Sequence, residues 1–529
     1  MRLPLLSLLF FTCSVHSYNI LVYIPKFAIS HIHFMGKLAD SLVDAGHNVT
    51  ALISEMDSNL PDGTKKSQKI IRISPGEGAD HMNTHFMTKD TMDMFEMEFD
   101  SYSASVENAY HNSVSFCIQC RKMLTTPGLV ERLKRDKYDV LITEAFEMCG
   151  VGLSHLISPR ALIPVSSSLL FDPSPFGLHY SLVSEPSIML DGRFHSTLYS
   201  RLKTIYHWFI FRAFLDTQTV PLQKVFEELY PGTPSFSSLL SDSAVVFANT
   251  DPLVDFARPT LSKVVPIGGI GVPTPKPLDE YWSGILSLRS RSVLVSFGSI
   301  AKSVLMHPSR KAALLKAFAS FPDTTFIWKY ENTSDDFARL EVSRVRNVIL
   351  AEWMPQKDLL ADSRLTLFIS HGGMASCHEI SHAGVPSLLI PIFGDQINNA
   401  AALAHVGIAQ VFNKFDMIHS DKIRKAIEEM IENSSCKSNA VRIRDQLAAR
   451  PSSPVERLVK NVEFAARFGP SKSLRPLNLE LSTIQFLGLD LIMVILSLIF
   501  IAAVLSFYFC KLLRVLASVV HVRKVQKLE

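Results

Sequence analysis

The sequence predicts two consecutive α/β domains with parallel sheets, followed by one membrane-spanning helix. Two series of short apolar strands alternate with helical stretches, and a Pro-rich segment at 273–277 lies between the two series. A long apolar run stands near the C-terminus. The chain of 529 residues is also too long for one ordinary domain, so two or three globular units are expected.

The two series define the expected domains. The first has strands at 19–24, 49–53, 138–142, 161–165 and 244–248, with a helix at 33–44 and an insertion at 174–230 that we expect to cover a cleft. The second has strands at 292–297, 325–328, 348–350, 366–369 and 387–390, and closing helices at about 421–468. We therefore expect a first domain at 18–272, a linker at 273–290 and a second domain at 291–480. Ligands should bind at the carboxyl ends of the strands.

Both ends of the chain carry membrane-related patterns. Residues 1–17 combine Arg2 with an apolar run and a small-residue cleavage site, which is typical of a secretory signal peptide. Residues 486–509 are apolar except for Asp490, and a run of this length can cross a bilayer core of about 30 Å. The tail at 510–529 is basic, which favours the cytosolic side. We expect a single-pass type I protein whose bulk is luminal.

Composition narrows the function classes. Hydrophobic residues make up 47% of the chain and charged residues 19%, which argues against disorder. The net charge of +3, with no basic stripe, argues against a nucleic-acid partner. Cys117 and Cys120 have the spacing of a redox pair, but a structural disulfide or free thiols fit this context better. Sequons at Asn48, Asn332 and Asn433 are candidate N-glycosylation sites and agree with luminal passage.

A short turn in the second series is suited to binding an anion. Ser370-His371-Gly372-Gly373 follows a predicted strand and opens a helix. Small residues there let backbone N–H groups approach a diphosphate, the helix N-terminus attracts negative charge, and His371 can add a side-chain hydrogen bond. Taken alone, two glycines after a strand would also fit any tight strand-to-helix turn.

The surroundings of this turn make the pattern specific. Five segments follow one another over about 44 residues: Trp353-Met-Pro-Gln356-Lys-Asp-Leu-Leu360, Phe368-Ile-Ser-His371-Gly-Gly373, Glu379, Gly384-Val-Pro386 and Pro391-Ile-Phe-Gly-Asp395-Gln396. Together they closely resemble the signature of the UDP-glycosyltransferases, including the UDP-glucuronosyltransferases. The resemblance implies two facing Rossmann-like domains of the GT-B type, with a small lipophilic acceptor bound mainly by the first and a UDP-sugar by the second. It also implies a detoxifying glycoprotein of the endoplasmic reticulum membrane.

The resemblance assigns most donor contacts to the second domain. It implies that Trp353 stacks on the uracil ring and that Gln356 lies beside the ribose or the base. Glu379 would accept hydrogen bonds from the ribose hydroxyls, and Asp395 with Gln396 would bind the hydroxyls of the donor sugar. Each of these residues also has a structural interpretation: a core aromatic, a solvated helix carboxylate, or a helix cap with its neighbour.

Phosphate contacts are implied for two further residues, Ser299 and Arg258. The sequence departs from the vertebrate form of the signature at Ala375 and Ser376, where an Asn-Gly pair is usual. This change removes a side-chain contact to phosphate and concerns donor affinity or sugar preference. Backbone N–H groups could still hold the diphosphate.

The resemblance identifies His31 as the base that takes the proton of the acceptor hydroxyl during an inverting single displacement. His33 is the alternative, which only geometry can exclude. Glu144 stands where many relatives have Asp and would orient the imidazole. The donor can be glucuronate or glucose, because an Asp-Gln pair suits either. No cofactor or metal is expected besides the UDP-sugar, and the sequence leaves a homo-oligomer open.

Apolar segments of the first domain, such as 92–97 and 208–214, suggest a hydrophobic acceptor pocket, although membrane contact or core packing would explain them equally well.

Other classes of protein fit the sequence less well. His378-Glu379-Ile-Ser-His382 matches a zinc protease helix, but Val385 and Leu388 stand where the extended motif has Gly and His. Gly269-Ile-Gly271 lacks the third glycine of a dinucleotide site. The alternative function is a catalytically silent, membrane-anchored protein that binds a UDP-sugar or a lipophile.

Overall fold

The computed structural model describes residues 17–77, 94–96, 101–168, 197–476, 481–486 and 488–525. The predicted signal peptide, apart from residue 17, lies outside these ranges, and so does the part of the predicted insertion at 174–196. The described residues up to Leu474 form one compact unit, and those from Arg475 onward form another.

The first sheet has seven parallel strands in the order β3-β2-β1-β4-β5-β6-β7. Runs rich in Ile, Leu and Val form its central strands, which are buried along nearly their whole length because helices cover both faces of a parallel sheet. The strands are β1 (Asn19–Lys26), β2 (Asn48–Glu55), β3 (Lys69–Ile73), β4 (Val140–Glu144), β5 (Ala161–Ser166), β6 (Val246–Ala248) and β7 (Val264–Pro266).

The second sheet has six parallel strands in the order β10-β9-β8-β11-β12-β13. They are β8 (Arg291–Ser296), β9 (Thr324–Lys329), β10 (Val348–Ala351), β11 (Leu365–Ser370), β12 (Ser387–Leu389) and β13 (Ala409–Val411). The two parallel sheets confirm the predicted class of two Rossmann-like domains. Strands β3, β7 and β13 were not predicted, because short strands at sheet edges carry a weak apolar pattern.

The helices of the first half are α1 (Ile29–Asp44), α2 (Tyr102–Leu124), α3 (Leu129–Arg135), α4 (Cys149–Ile157), α5 (Leu198–Leu229) and α6 (Phe236–Ser241). Those of the second half are α7 (Glu280–Leu286), α8 (Pro308–Ala319), α9 (Gln356–Ala361), α10 (Met374–Ala383), α11 (Gln396–His405), α12 (Ser420–Glu432), α13 (Ser434–Ala448) and α14 (Pro454–Phe468). The short α15 (Thr483–Phe486) and the long α16 (Leu489–Val525) follow in the second compact unit.

Packing crosses the expected domain boundary in two places. Helix α14 belongs by sequence to the segment 291–480, yet its buried Leu458, Val462, Ala465 and Ala466 join the core of the first sheet. In the opposite direction, Phe95 of the first half is 2% exposed and lies in the core of the second sheet. Of the interpretations open for the segment 92–97, its described residues therefore support core packing.

Cys120 is bonded to Cys149 rather than to Cys117, which is free. The bond joins α2 to the start of α4. Spacing along the sequence could not show whether Cys120 pairs with Cys117 or with Cys149. The sequence left a structural disulfide or free thiols open for Cys117 and Cys120. The structure shows one of each, because Cys120 forms a disulfide with a partner 29 residues away and Cys117 is a free thiol.

The apolar helix near the C-terminus is longer than predicted. Within α16, the stretch Leu489–Val519 is long and apolar enough to cross a membrane. The helix begins directly after Gly488, whose φ of 63° is the left-handed conformation that glycine favours. No Gly or Pro follows up to Val525, so the helix continues into the segment predicted as the basic tail.

Candidate active site

Both sheets reverse their strand order in the middle, and the predicted site residues cluster at these reversals. The first sheet reverses between the paired strands β1 and β4, and the second between β8 and β11. Loops that leave a sheet in opposite directions at such a point open a crevice at the carboxyl ends of the strands. His31 follows β1 and Glu144 ends β4, while Ser299 follows β8 and His371 follows β11.

His31 and Glu144 are in direct contact. His31 lies in the first turn of α1, and its Nδ1 atom is 3.1 Å from Oε2 of Glu144. The Glu144 side chain is buried, and its other oxygen accepts hydrogen bonds from the backbone N–H groups of Phe146 at 3.4 Å and Ser167 at 3.3 Å. A glutamate thus reaches the imidazole from the end of β4, so its additional methylene group does not prevent the contact.

The alternative base, His33, has a different environment. It is exposed on α1, and desolvation together with the nearby charge of Lys65 lowers the pKa of its ring. A lysine beside an imidazole disfavours the protonated form that a general base must adopt. His31, which faces a carboxylate, is therefore better suited to take up a proton.

Aromatic rings form an apolar wall beside His31. The centroid of the Phe27 ring lies 4.6 Å from that of His31, and the Phe146 centroid lies 5.7 Å away. Phe116 packs edge-on against Phe27 at 5.3 Å. Such a wall excludes water, strengthens the electrostatic contacts of the imidazole and suits an apolar molecule.

Glu147 is a second buried carboxyl group, three residues after Glu144. It is buried, and burial raises the pKa of its carboxyl group to about 8, with a smaller contribution from Glu144. One of its oxygens accepts a hydrogen bond from the backbone N–H of Cys149 at 3.2 Å. A neutral carboxylic acid therefore stands behind the ionisable pair of His31 and Glu144. The resemblance singled out Glu144 as the partner of His31, but the sequence gave no sign that Glu147 would also be buried.

In the second sheet, the turn Ser370–Gly373 leads into the N-terminus of α10 as expected. His371 packs so closely that a Cβ atom at Gly298 would lie 2.7 Å from its Nε2 atom, and one at Gly373 would lie 2.5 Å away. Gly298 also has a φ of 90°. Burial and the charge of Lys329 lower the pKa of His371 to about 4. The two glycines thus let a neutral histidine sit between the loops that follow β8 and β11.

Trp353 is 79% exposed, which excludes its interpretation as a core residue. The Nζ atom of Lys329 lies 5.7 Å from the centre of its ring and donates a hydrogen bond to the Gly298 carbonyl at 2.6 Å. Ser299 is exposed next to Gly298. An open aromatic face, a cation and the β8 loop thus share one surface, which suits a base followed by a phosphate. Lys329 was missed, although a lysine directly after a predicted strand was a signal for this edge.

Gln356 and Glu379, each predicted to contact the nucleotide, lie side by side. The Nε2 atom of Gln356, at the start of α9, donates a hydrogen bond to the Glu379 carboxylate on α10. Burial raises the pKa of Glu379. The pair leaves a carboxylate that is partly desolvated and can accept further hydrogen bonds from hydroxyl groups.

Asp395 and Gln396 lie at the start of α11. Burial raises the pKa of Asp395, and the Asn399 amide at 2.9 Å and the His31 ring counteract that rise. The charge of His31 therefore acts on Asp395, although the two residues follow strands of different sheets. The Oε1 atom of Gln396 accepts hydrogen bonds from the backbone of Ile392 at 2.8 Å and Phe393 at 3.2 Å, so its amide oxygen holds the loop as a cap would.

Arg258 is not a free cation. Its guanidinium donates to both oxygens of Asp255, at 3.1 and 3.0 Å, and to Oδ1 of Asn398 on α11 at 2.9 Å. A phosphate contact by Arg258 would need one of these partners to give way. The residue instead braces α11, which carries Asp395 at its start.

The two histidines of the H-E-x-x-H pattern have partners other than a metal. His378 contacts the carbonyl of Asn249 through Nε2 at 3.1 Å, and His382 contacts Arg450 through Nε2 at 3.2 Å. Among the residues that the structure describes, no group of three potential metal ligands comes together.

The candidate N-glycosylation sites are accessible: the sequon asparagines Asn48, Asn332 and Asn433 are all exposed.

Comparison with known proteins places the chain in a class. CalG4, the calicheamicin glycosyltransferase, superposes with a TM-score of 0.59 over 86% of this chain and 100% of its own, at 15% identity. The glycosyltransferase of kitacinnamycin superposes with a TM-score of 0.58 over 86% of this chain and 100% of its own, at 16% identity. These similarities, together with the two parallel sheets, show that the chain has the GT-B fold.

Sequence comparison identifies the family. A family profile described as "UDP-glucoronosyl and UDP-glucosyl transferase" matches residues 19–525, so the chain belongs to this family. A Caenorhabditis elegans relative named "Putative UDP-glucuronosyltransferase ugt-55" is 28% identical over 469 residues, which are 88% of this chain and 89% of the relative. Human UDP-glucuronosyltransferase 1A4 is 28% identical over 430 residues, with 79% and 78% covered.

Proposed function

We propose that this enzyme transfers glucuronate or glucose from a UDP-sugar to hydroxyl groups of small lipophilic acceptors by an inverting single displacement. The observation that carries the proposal is the contact of 3.1 Å between His31 and the buried Glu144 at the crevice. A carboxylate at Nδ1 stabilises the tautomer that leaves Nε2 free to accept a proton, and it stabilises the imidazolium that then forms.

In the proposed step, Nε2 of His31 takes the proton of the acceptor hydroxyl while the hydroxyl oxygen forms a bond to the anomeric carbon of the sugar. The bond between that carbon and the β-phosphate oxygen breaks, and UDP leaves from the opposite face. The leaving diphosphate would meet the N-terminus of α10 and the cation of Lys329, both of which favour negative charge. Asp395, at the start of α11, would bind the sugar hydroxyls.

The chemistry of the crevice also supports the proposed ligands. Trp353 offers an exposed aromatic surface for uracil, and Gln356 with Glu379 offers polar atoms for the ribose. The wall of Phe27, Phe116 and Phe146 beside His31 favours acceptors with an apolar body.

For the cellular location we propose the endoplasmic reticulum membrane, with the globular part luminal and α16 as the anchor. The length and apolar character of Leu489–Val519 support anchoring. The disulfide between Cys120 and Cys149 supports an oxidising compartment.

The test uses the purified full chain in detergent with UDP-glucuronate or UDP-glucose and a panel of phenols and aliphatic alcohols. His31→Ala should lower turnover by about 10²–10⁴-fold, the range typical of a lost general base, and should leave UDP binding nearly unchanged. His33→Ala, on the same helix, is the matched control and should retain activity. Because phenols ionise more readily than aliphatic alcohols, the turnover of His31→Ala should fall less with phenols than with alcohols.

Two outcomes would contradict the proposal. If the wild-type chain binds UDP saturably but forms no product with either donor, it is a silent binding protein. If His33→Ala is inactive and His31→Ala is active, the base has been assigned to the wrong residue.

A further inference from the structure

His31 has a second hydrogen-bonding partner besides Glu144. The hydroxyl oxygen of Ser167 lies 2.7 Å from Nδ1 of His31, closer than the Glu144 carboxylate at 3.1 Å. Ser167 is 9% exposed and comes directly after β5, at the same edge of the sheet as β1 and β4. Its own backbone N–H donates to Glu144. One residue thus contacts both members of the pair.

We propose that Ser167 is a positioning residue for His31, and that Asn249 and His378 connect it to the donor-binding helix α10. The inference rests on the proposed function, because positioning matters only if His31 acts as the base. It assigns to Ser167 the task of holding the imidazole ring so that Nε2 points into the crevice.

The direction of the hydrogen bond follows from the two partners of Nδ1. A carboxylate oxygen can only accept, so a contact between Nδ1 and Glu144 requires a proton on Nδ1. Ser167 then accepts from the same N–H in a shared hydrogen bond. If the serine hydroxyl donated to Nδ1 instead, the ring would carry its proton on Nε2 and could not act as a base. Two acceptors at Nδ1 therefore select the active tautomer and fix the plane of the ring.

A continuous set of hydrogen bonds leads from Ser167 to the second domain. The Nδ2 atom of Asn249 donates to the Ser167 carbonyl at 2.8 Å, and the backbone N–H of Asn249 is shared between the carbonyls of Ser166 at 3.0 Å and Ser168 at 3.1 Å. The Asn249 carbonyl in turn lies 3.1 Å from Nε2 of His378. Because a carbonyl only accepts, His378 is the donor here. Asn249 and His378 are both buried.

His378 lies within α10, the helix whose N-terminus meets the predicted diphosphate site. Burial lowers the pKa of His378 to about 4, so the ring is neutral and its single N–H is fixed by the Asn249 carbonyl. The chain of contacts therefore joins the helix at the donor site to the base in the first domain. A shift of α10 on donor binding would be transmitted to the ring of His31.

The titratable groups around both histidines bear on any pH dependence. His31 contacts Glu144 from β4, its charge acts on Asp395 at the start of α11, and the charge of Glu144 acts on Glu147. His378 is surrounded by His382, Asp251 and Arg450. A substitution at Ser167 removes none of these titratable groups. A change in the pH dependence of the rate would therefore report the loss of the Ser167 hydroxyl.

The experiment compares Ser167→Ala and Ser167→Thr with the wild-type full chain. Ser241→Ala is the matched control, since Ser241 is also buried and its hydroxyl donates a hydrogen bond of 2.7 Å to the carbonyl of Ser238. Neither residue is among the predicted site residues. Ser167→Ala should lower kcat by about 10–100-fold, with the UDP-sugar KM changed less than about twofold, because the ring loses orientation and not donor contacts. The acidic limb of the rate profile should move to lower pH, because an acceptor that stabilises the protonated imidazole is gone. Ser167→Thr should restore most of kcat.

A second measurement does not depend on turnover. Acylation of His31 by diethyl pyrocarbonate, followed by peptide mass spectrometry across pH, reports the neutral imidazole directly. Its midpoint should move to lower pH in Ser167→Ala. If the wild-type chain forms no product, this titration still tests Ser167, and only the proposed function fails.

The connection to α10 is tested by a double-mutant cycle. Asn249→Ala should lower kcat, and its effect combined with Ser167→Ala should be smaller than the product of the two single effects, because both act on the same contact. The inference is overturned if Ser167→Ala keeps the wild-type kcat and acylation profile, or if the acidic limb moves to higher pH, which would make the hydroxyl a donor to Nδ1. Independent effects of the two substitutions would overturn the connection to α10.

Discussion

At the scale of single residues, exposure separates side chains that bind from those that pack. Trp328 and Trp353 both belong to the second half, yet Trp328 is fully buried and Trp353 is 79% exposed. An exposed indole leaves an apolar face in contact with water, which a stacking ligand would cover. Burial alone does not distinguish Glu144 from Glu147, because both are buried. They differ in their partners: Glu144 contacts the imidazole of His31, whereas burial raises the pKa of Glu147 to about 8.

Replacing Trp353 with Ala should weaken UDP binding. Loss of stacking on a base is worth about 1–3 kcal/mol, so the Kd for UDP should rise by roughly tenfold or more. Isothermal titration with UDP measures this change. Tyr281→Ala, which removes another exposed aromatic of the second half, should leave the Kd unchanged. An unaltered Kd in a folded Trp353→Ala variant would rule out the stacking role.

Replacing Glu147 with Gln should stabilise the protein at alkaline pH. In the folded protein Glu147 keeps its proton up to a pKa of about 8, whereas in the unfolded chain the carboxyl group releases it near its ordinary pKa of 4.5. The contribution of the Glu147 proton to the free energy of unfolding of the wild type is therefore fully present below pH 4.5. It is lost as the pH rises to about 8, because the unfolded chain releases the proton first. The variant lacks this loss, so its advantage should grow between these values and reach a few kcal/mol, at roughly 1.4 kcal/mol for each pKa unit.

The measurement is the thermal midpoint of variant and wild type at pH 5, 7 and 9. The exposed Glu107→Gln serves as the control and should show no such trend. A constant difference between Glu147→Gln and wild type at all three pH values would contradict the buried, neutral state of Glu147.

At the scale of elements, short segments connect the two sheets. Phe95 packs edge-on against Phe297 at 5.6 Å between ring centroids, and Glu96 pairs with Arg310 on α8 at 2.7 Å. The Nζ atom of Lys414 bonds both the Met94 carbonyl at 3.0 Å and the Ile392 carbonyl at 2.7 Å. The segment 94–96 thus lies against the loops that follow β8 and β12, both of which carry predicted donor contacts.

Replacing Phe95 with Ala should destabilise the second domain and weaken donor binding. Removing a buried phenylalanine costs about 3–5 kcal/mol, and the cavity would lie beside Phe297, just before Gly298. Differential scanning fluorimetry with and without UDP measures both effects. Phe209→Ala, at an exposed position on α5, is the control. If Phe95→Ala melts like the wild type, the segment does not dock on the second core.

At the scale of the whole molecule, the proposed topology gives a further prediction. In sealed microsomes, a tag added at the C-terminus should be cleaved by external protease, while the globular part stays protected, because the residues after the apolar span include Arg523 and Lys524. Detergent should expose the globular part and serves as the control. A protected tag would reverse the proposed orientation.

The sequence by itself determined the fold class, because apolar periodicity identified the central strands of both sheets to within about two residues. It also determined which residues meet at the crevice. The residues after β1, β4, β8 and β11 lie at the carboxyl ends of central strands, and parallel pairing brings those ends together. The contact between His31 and Glu144 was therefore foreseeable, even though the two residues are 113 positions apart.

Only the tertiary structure decided what depends on packing between distant segments. Ser167 and Lys329 follow predicted strands, but whether such a side chain points into the crevice depends on the path of its loop. The return of α14 to the first sheet and the docking of Phe95 on the second cannot be read from local patterns. An apolar residue fits any complementary core equally well, because hydrophobic burial has no direction. The partner of each buried side chain is therefore fixed by the folded shape and not by the residue itself.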